Sequence, residues 1–333
     1  MKRLGTALLF GVLSTAWFGC DNDLELTADW QDIPIVYGLL DINDPVHFIR
    51  LEKAFLDPQT SALTIAQIPD SLYYESATVQ LERLSDGSVF TLQRVDGTTI
   101  GLPKEEGIFA SEPNYLYMID SASIDLQPGE EIRLLINRGD EKPLVTATTT
   151  IVPKLEPRRP VEGTNINFDY VLNTRIRWDS PDEAKIFDVV LYLNILEFPK
   201  NDPSQQTERR LKWELARGLV FEANELTDIE FPGLEFYLFL QKNLEEDDGI
   251  SRVFQGIDIE VTAAGQELKD FIRVIQANTG ITASQEVPTF TNLSEGRGIF
   301  SSRSVLRVNG IQLSGTSRDS LRNGIHTKDL NFL

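Results

Sequence analysis

Ala77-Thr78-Val79-Gln80-Leu81-Glu82-Arg83-Leu84, the pair Asp86-Gly87, and Val89-Phe90-Thr91-Leu92 decide the fold of the first half of this chain. Apolar and polar side chains alternate along the first run, the period-2 pattern of a strand with one buried face. Asp-Gly tolerates the positive φ of a tight hairpin, so the two runs read as paired antiparallel strands. On the N-terminal side, Ile33 to Leu40 is a nearly continuous apolar strand. Asp41-Ile42-Asn43-Asp44-Pro45 turns the chain, and Val46 to Leu51 returns. Residues 61–73 hold a short helical or irregular excursion broken at Pro69. On the C-terminal side, Tyr115 to Ile119, Ile132 to Ile136 (after the Pro128-Gly129 turn) and Leu144 to Val152 complete the set. Seven or so short strands with turn signals between them predict an immunoglobulin-like β-sandwich over residues 30–153.

Pro153 to Pro160 holds three prolines, which excludes a helix interior or a central strand. Residues 154–164 therefore read as an interdomain linker. Beyond them, residues 165–333 read as a second, β-rich α+β domain with a few short helices. Its strands are Val171 to Trp178, Ile186 to Leu196, Leu211 to Val220, Val253 to Val261 and Ile299 to Val308, the last ended by an Asn309-Gly310 turn. Gln266 to Ala277 carries Leu268, Phe271, Ile272 and Ile275 on one stripe and reads as a helix, as do Gly233 to Leu244 and Thr316 to Arg322. The chain as a whole is predicted to be mainly β.

The first 19 residues have the layout of a secretory signal: Lys2 and Arg3, then an uncharged stretch with the apolar heart Ala7 to Leu13. Gly19-Cys20 supplies the small residue and cysteine of a lipoprotein cleavage site, although Trp17 replaces the usual aliphatic residue three positions before the cysteine. Cys20 is the only cysteine of the 333 residues, so it is the expected lipid-attachment residue and leaves no partner for a disulfide. The acidic stretch from Asp21, residues 20–29, reads as a flexible tether.

The formal charge is −20, and removing Lys2 and Arg3 with the signal takes it to −22. That balance excludes a basic nucleic-acid-binding face and charge-driven docking on anionic lipid. The chain has two histidines, His47 and His326, and neither sits in a two-histidine metal motif. No Gly-x-Ser-x-Gly elbow and no phosphate-binding loop occurs. Asp41, Asn43 and Asp44, and separately Glu245 to Asp248, place oxygen ligands close together, but neither completes an EF-hand loop. Neither a cofactor nor a metal site is expected, and no catalytic residue is assigned.

Three stretches, taken in order, resemble a known family: Asp32-Ile33-Pro34-Ile35-Val36-Tyr37-Gly38-Leu39-Leu40 soon after the cysteine; Pro128-Gly129-Glu130 through Thr146 to Pro153; and Pro288-Thr289-Phe290-Thr291-Asn292-Leu293-Ser294-Glu295-Gly296-Arg297-Gly298-Ile299-Phe300-Ser301-Ser302. The chain resembles uncharacterised outer-membrane lipoproteins of the phylum Bacteroidota, a family built on a domain of unknown function. The resemblance implies an N-terminal sandwich anchored in the outer membrane and brings no catalytic residues. It also implies that Asp21, Asp23 and Glu25 mark export to the cell surface rather than a periplasm-facing orientation. In that phylum Asp-Ser triplets followed by a small or apolar residue accept O-glycans, which makes Ser71, Ser121 and Ser320 candidate sites. In the third stretch, Gly296 and Gly298 read as a bend before the Ile299 strand and Asn292 as a turn-holding side chain. The alternative is a ligand loop.

These features point first to a non-enzymatic binding or scaffold protein held on the membrane by its lipid, with another envelope protein as partner and no nucleic acid. A carbohydrate-binding accessory lipoprotein is the second reading, with Trp30, Trp178, Trp213, Tyr73 and Tyr74 available to a glycan. A carboxylate-dependent hydrolase is the third.

Overall fold

A computed structural model describes residues 32–55, 62–105, 107–221, 227–277 and 289–333. Cys20, the signal segment, the tether and Trp30 lie outside the described residues. The chain is mainly β, with 47% of the described residues in strands and 18% in helices.

The first half contains β1 (Asp32–Asp41), β2 (Val46–Phe55), the short helices α1 (Ala62–Ala66) and α2 (Pro69–Leu72), β3 (Thr78–Arg83), β4 (Val89–Thr91), β5 (Gln93–Asp96), β6 (Tyr115–Asp120), α3 (Ser121–Ile124), β7 (Glu131–Asn137) and β8 (Val145–Thr150). The hairpin read from Asp86-Gly87 is present: β3 and β4 pair antiparallel, Gly87 has φ +75°, and Asp86 accepts from the Ser88 amide at 2.8 Å. One layer runs β1-β2-β6-β5 and the other β4-β3-β7-β8. These are the A-B-E-D and C′-C-F-G orders of an immunoglobulin-like sandwich. Val36, Leu40, Ile49 and Leu51 from one layer meet Val79, Leu81, Leu134 and Ile136 from the other in a closed core. Here the alternation is translated directly into burial, since period-2 side chains share a face.

The second half contains β9 (Glu156–Arg159), β10 (Asn165–Ile166), β11 (Asn173–Asp179), β12 (Ile186–Pro199), β13 (Thr207–Leu219), β14 (Asp228–Pro232), α4 (Leu234–Asn243), β15 (Ile250–Ala264), α5 (Gln266–Ala277), β16 (Arg297–Leu313) and α6 (Gly315–Asn323). Four long strands in the order β13-β12-β15-β16 pack one face against the small sheet β14-β11-β9, α4 and α6. Val189, Leu191, Leu193 and Ile195 of β12 supply the period-2 stripe, and Trp178, Phe231, Phe236 and Tyr237 face it. The expected linker at 154–164 is structured: β9 is an edge strand beside β11. The edge is the position where Pro157, which lacks an N–H, is tolerated.

The halves share a sheet. The first seven residues of β16 run parallel to β1, from Ile35 beside Arg297 to Asp41 beside Arg303, and the remainder pairs with β15. The long strand therefore belongs to both cores. Phe300 and Leu293 are buried in the N-terminal one and Val308, Ile311 and Leu313 in the C-terminal one. The strand does not end at Asn309-Gly310. Those residues form a bulge opposite Asp258, with Gly310 at φ +67° and its amide held by the Asp258 carboxylate at 3.0 Å.

The stretch 292–302 secures the junction. Asn292 pairs with both backbone groups of Phe300, accepting at 3.0 Å and donating at 2.6 Å. Ser294 exchanges two hydrogen bonds with Thr146, covering the outer edge of β8. Gly296 and Gly298 sit at φ +103° and +107°, and a Cβ on Gly298 would lie 1.9 Å from the Val36 carbonyl oxygen. Only glycine lets the two backbones approach this closely. Glu267, at the start of α5, accepts from Thr149 at 3.0 Å and from Ser301 at 2.9 Å, joining β8 and β16.

Candidate binding cleft and apolar lip

The start of β1 and the far end of β16 are separated by the length of the long strand. Asp32 follows Cys20 by twelve positions and opens β1, beside the start of β16. From Arg297 the strand advances about 3.3 Å per residue. By Gln312 and Leu313, which pair with Asn165 and Ile166 of β10, it has travelled roughly 50 Å.

At that far end a polar cavity of about 320 Å³ opens between β10 and the small sheet. Its walls include Arg159, Asn165, Asn167, Asn173, Arg175 and Glu230. Several of these side chains are fixed in place. Arg175 donates to Glu230 at 2.6 Å, holding that carboxyl below its ordinary range. Asn173 donates to the same carboxylate at 3.4 Å. Asn167 accepts from Ser314 at 2.6 Å and Ser317 at 3.2 Å, and its backbone carbonyl accepts from Thr174 at 2.8 Å. Arg159 is exposed and forms no ion pair among the described residues.

Beside the cleft stands an apolar lip. Val171 is 88% exposed, Leu172 64% and, after α6, Ile325 75%. The loop that carries the first two is rigid. Asp169 accepts from the amides of Val171 at 2.7 Å and Leu172 at 3.1 Å, which lowers its pKa, and Tyr170 stacks edge-on against Tyr237 and His326. Leaving these three large aliphatic side chains in water, two on the 169–172 loop and one after α6, forgoes burial of about 1.5–3 kcal/mol each.

A second cavity, of about 450 Å³, lies on the outer face of the first sandwich layer against Tyr37, Phe48, Leu102 and Leu116, with Arg50 and Asn114 in its wall. Its polar groups are already engaged, since Arg50 bonds Glu52 at 3.0 Å and Asn114 at 2.9 Å. A third, of about 230 Å³ at the junction, contains Asp182, Glu183, Lys185 and Glu267.

The residues singled out in the sequence are scattered. Ser71 sits in α2, half-buried, donating to the carbonyls of Ile65 and Ile68. Ser121 opens α3 at the sandwich end, and Ser320 lies half-buried in α6 beside Tyr237. Trp178, Trp213, Tyr73 and Tyr74 are all buried, so none of the four offers a face to a glycan. His47 points into the N-terminal core, 2% exposed, with neither ring nitrogen partnered. His326 lies 3.3 Å from the Gln241 side-chain oxygen, within hydrogen-bonding distance. Beside Asp41 and Asp44 stands Arg303, at 3.5 and 3.4 Å, in the position a bound cation would take. Among the described residues no group of three or more histidine, cysteine or acidic side chains could hold a metal ion. Sequence reading missed the cleft because the stretch 159–175 that lines most of it read as a linker and the start of a strand, and Glu230 joins it from β14. The Asn165-x-Asn167 pair is the one local signal.

No family model matches the chain, and no curated protein matches it. Similar solved structures include the IG1+IG2 pair of DIP-gamma, at 10% identity over 83% of this chain and 98% of that one, TM-score 0.17. Another is the FN1–FN3 segment of chicken CNTN1, at 11% identity over 84% and 67%, TM-score 0.18. At this level of similarity the fold rests on its own strand order.

Proposed function

We propose that the protein is a non-enzymatic binding component of the cell envelope, anchored in the outer membrane through lipid on Cys20 and docking another envelope protein at its far end. The observation that carries this is the lip of Val171, Leu172 and Ile325, set beside the far end of β16, away from the start of β1. Ordered apolar side chains in solvent are a mark of protein–protein contact. With the lipid joined to the chain ahead of β1, a partner docked at the lip sits roughly 50 Å from the start of that strand. The cell-surface orientation rests on the acidic residues after Cys20.

The test is native purification of the lipoprotein from membranes dissolved in mild detergent. The expected result is stoichiometric recovery of a second envelope protein, lost when Val171→Asp and Ile325→Asp are introduced together. Repeated recovery of the protein alone would count decisively against the reading. For the anchor, labelled palmitate enters the wild type and is absent from Cys20→Ala, which also leaves the membrane fraction.

A further inference from the structure

The polar cleft has unused hydrogen-bonding capacity of a particular kind. After the protein's own bonds are counted, Arg159 and the Asn167 amide remain as donors. The carbonyl of Asn173 and the free lone pairs of Glu230 remain as acceptors, and Asn165 offers both. Planar amide, carboxylate and guanidinium groups spaced around one cavity suit a ligand whose polar groups each donate and accept, that is, vicinal hydroxyls. Leu172 and Pro160 give the same cavity apolar wall for the C–H face of a ring. Within the wall Arg175 and Glu230 neutralise each other at 2.6 Å and Arg159 leaves one net positive charge, while the −20 of the whole chain disfavours the approach of an anion. A cavity of 320 Å³ is large enough for one or two sugar rings. The buried tryptophans and tyrosines play no part in this.

We infer that the cleft of Arg159, Asn165, Asn167, Asn173 and Glu230 binds a neutral saccharide. Leu172 belongs to both the lip and the cavity wall, but Val171 does not line the cavity, so Val171→Asp changes the lip without removing a wall residue of the cleft.

The experiment is isothermal titration calorimetry of the detergent-solubilised full lipoprotein with unbranched neutral tetra- to hexasaccharides of gluco, galacto, manno and xylo configuration. A parallel arm uses oligogalacturonate as the acidic comparison. The expected result is saturable binding of at least one neutral series, weakened about tenfold or more by Arg159→Ala and by Asn173→Ala, and unchanged by Val171→Asp. Both cleft residues are exposed, so their variants keep the wild-type melting temperature within a few degrees. No heat from any neutral series, tighter binding of the acidic oligosaccharide, or neutral binding that survives both cleft substitutions would each overturn the assignment. Loss of partner recovery by Val171→Asp with saccharide binding intact separates the two sites.

Discussion

Replacing Gly298 by alanine strikes the contact that joins the halves. The new Cβ would sit 1.9 Å from the carbonyl oxygen of Val36 and 2.8 Å from its carbonyl carbon. Both are backbone atoms, so no rotamer change relieves the clash and β1 must move away from β16. The φ of +107° adds a backbone strain of about 1–3 kcal/mol for any residue with a side chain. Loss of one or two ladder hydrogen bonds adds about 1 kcal/mol each. The sum is about 2–5 kcal/mol, or a fall in melting temperature of roughly 5–10 °C for a chain of this size. Gly310→Ala is the control. Its φ is +67°, but nothing lies within 4 Å of the added carbon, so it loses only about 1 kcal/mol. Both substitutions reduce the freedom of the unfolded chain equally, so that contribution cancels in the comparison. Thermal unfolding followed by circular dichroism measures the pair, and hydrogen exchange locates the damage in β1 and β16. If Gly298→Ala melted within 2 or 3 °C of Gly310→Ala, the close parallel pairing of β1 with β16 would be wrong.

Three further outcomes follow from the same structure. Burial lowers the pKa of His47, with Asp44 opposing more weakly, so the unfolded chain takes up the proton first as pH falls. Stability at this site is therefore complete above the unfolded value near 6.5 and declines as pH drops below it; urea melts at pH 7.5 and 5.5 will show the loss, and His47→Phe will reduce it. Phe300→Ala, at a fully buried position, will cost about 3–5 kcal/mol and loosen the N-terminal core more than the C-terminal one, as seen by hydrogen exchange. A fragment ending at residue 153 lacks Leu293 and Phe300 and leaves the edge of β1 unpaired, so size-exclusion chromatography will find it aggregated or expanded, not a compact monomer.

Local signals carried much of this fold. The alternation at 77–84, the Asp86-Gly87 turn, the apolar stripe of α5 and the long strand β12 each follow from side chains close in sequence. The pairing of β1 with β16 could not be read that way. It joins Ile35 to Arg297 across more than 250 residues, and parallel pairing leaves no turn between the partners. Its trace was the glycine pair at 296 and 298, legible as a backbone constraint but silent about what the backbone approached. The prolines of 153–160 were legible as unfit for a central strand, and an edge strand satisfied the same constraint. Val171 and Leu172 read as the start of a strand because they are apolar. They are instead held on a loop, because Asp169 captures their amides before the ladder begins at Asn173.

The central claim is that the lip at the far end of β16 meets a partner protein. Site-specific photo-crosslinking in intact cells tests it, with the reactive residue placed at Val171 in one strain and at Leu84, exposed on the side of the first sandwich, in another. The account predicts a discrete crosslinked species of one partner from position 171 and none from position 84. No crosslink from 171, or equal capture from both positions, would contradict it.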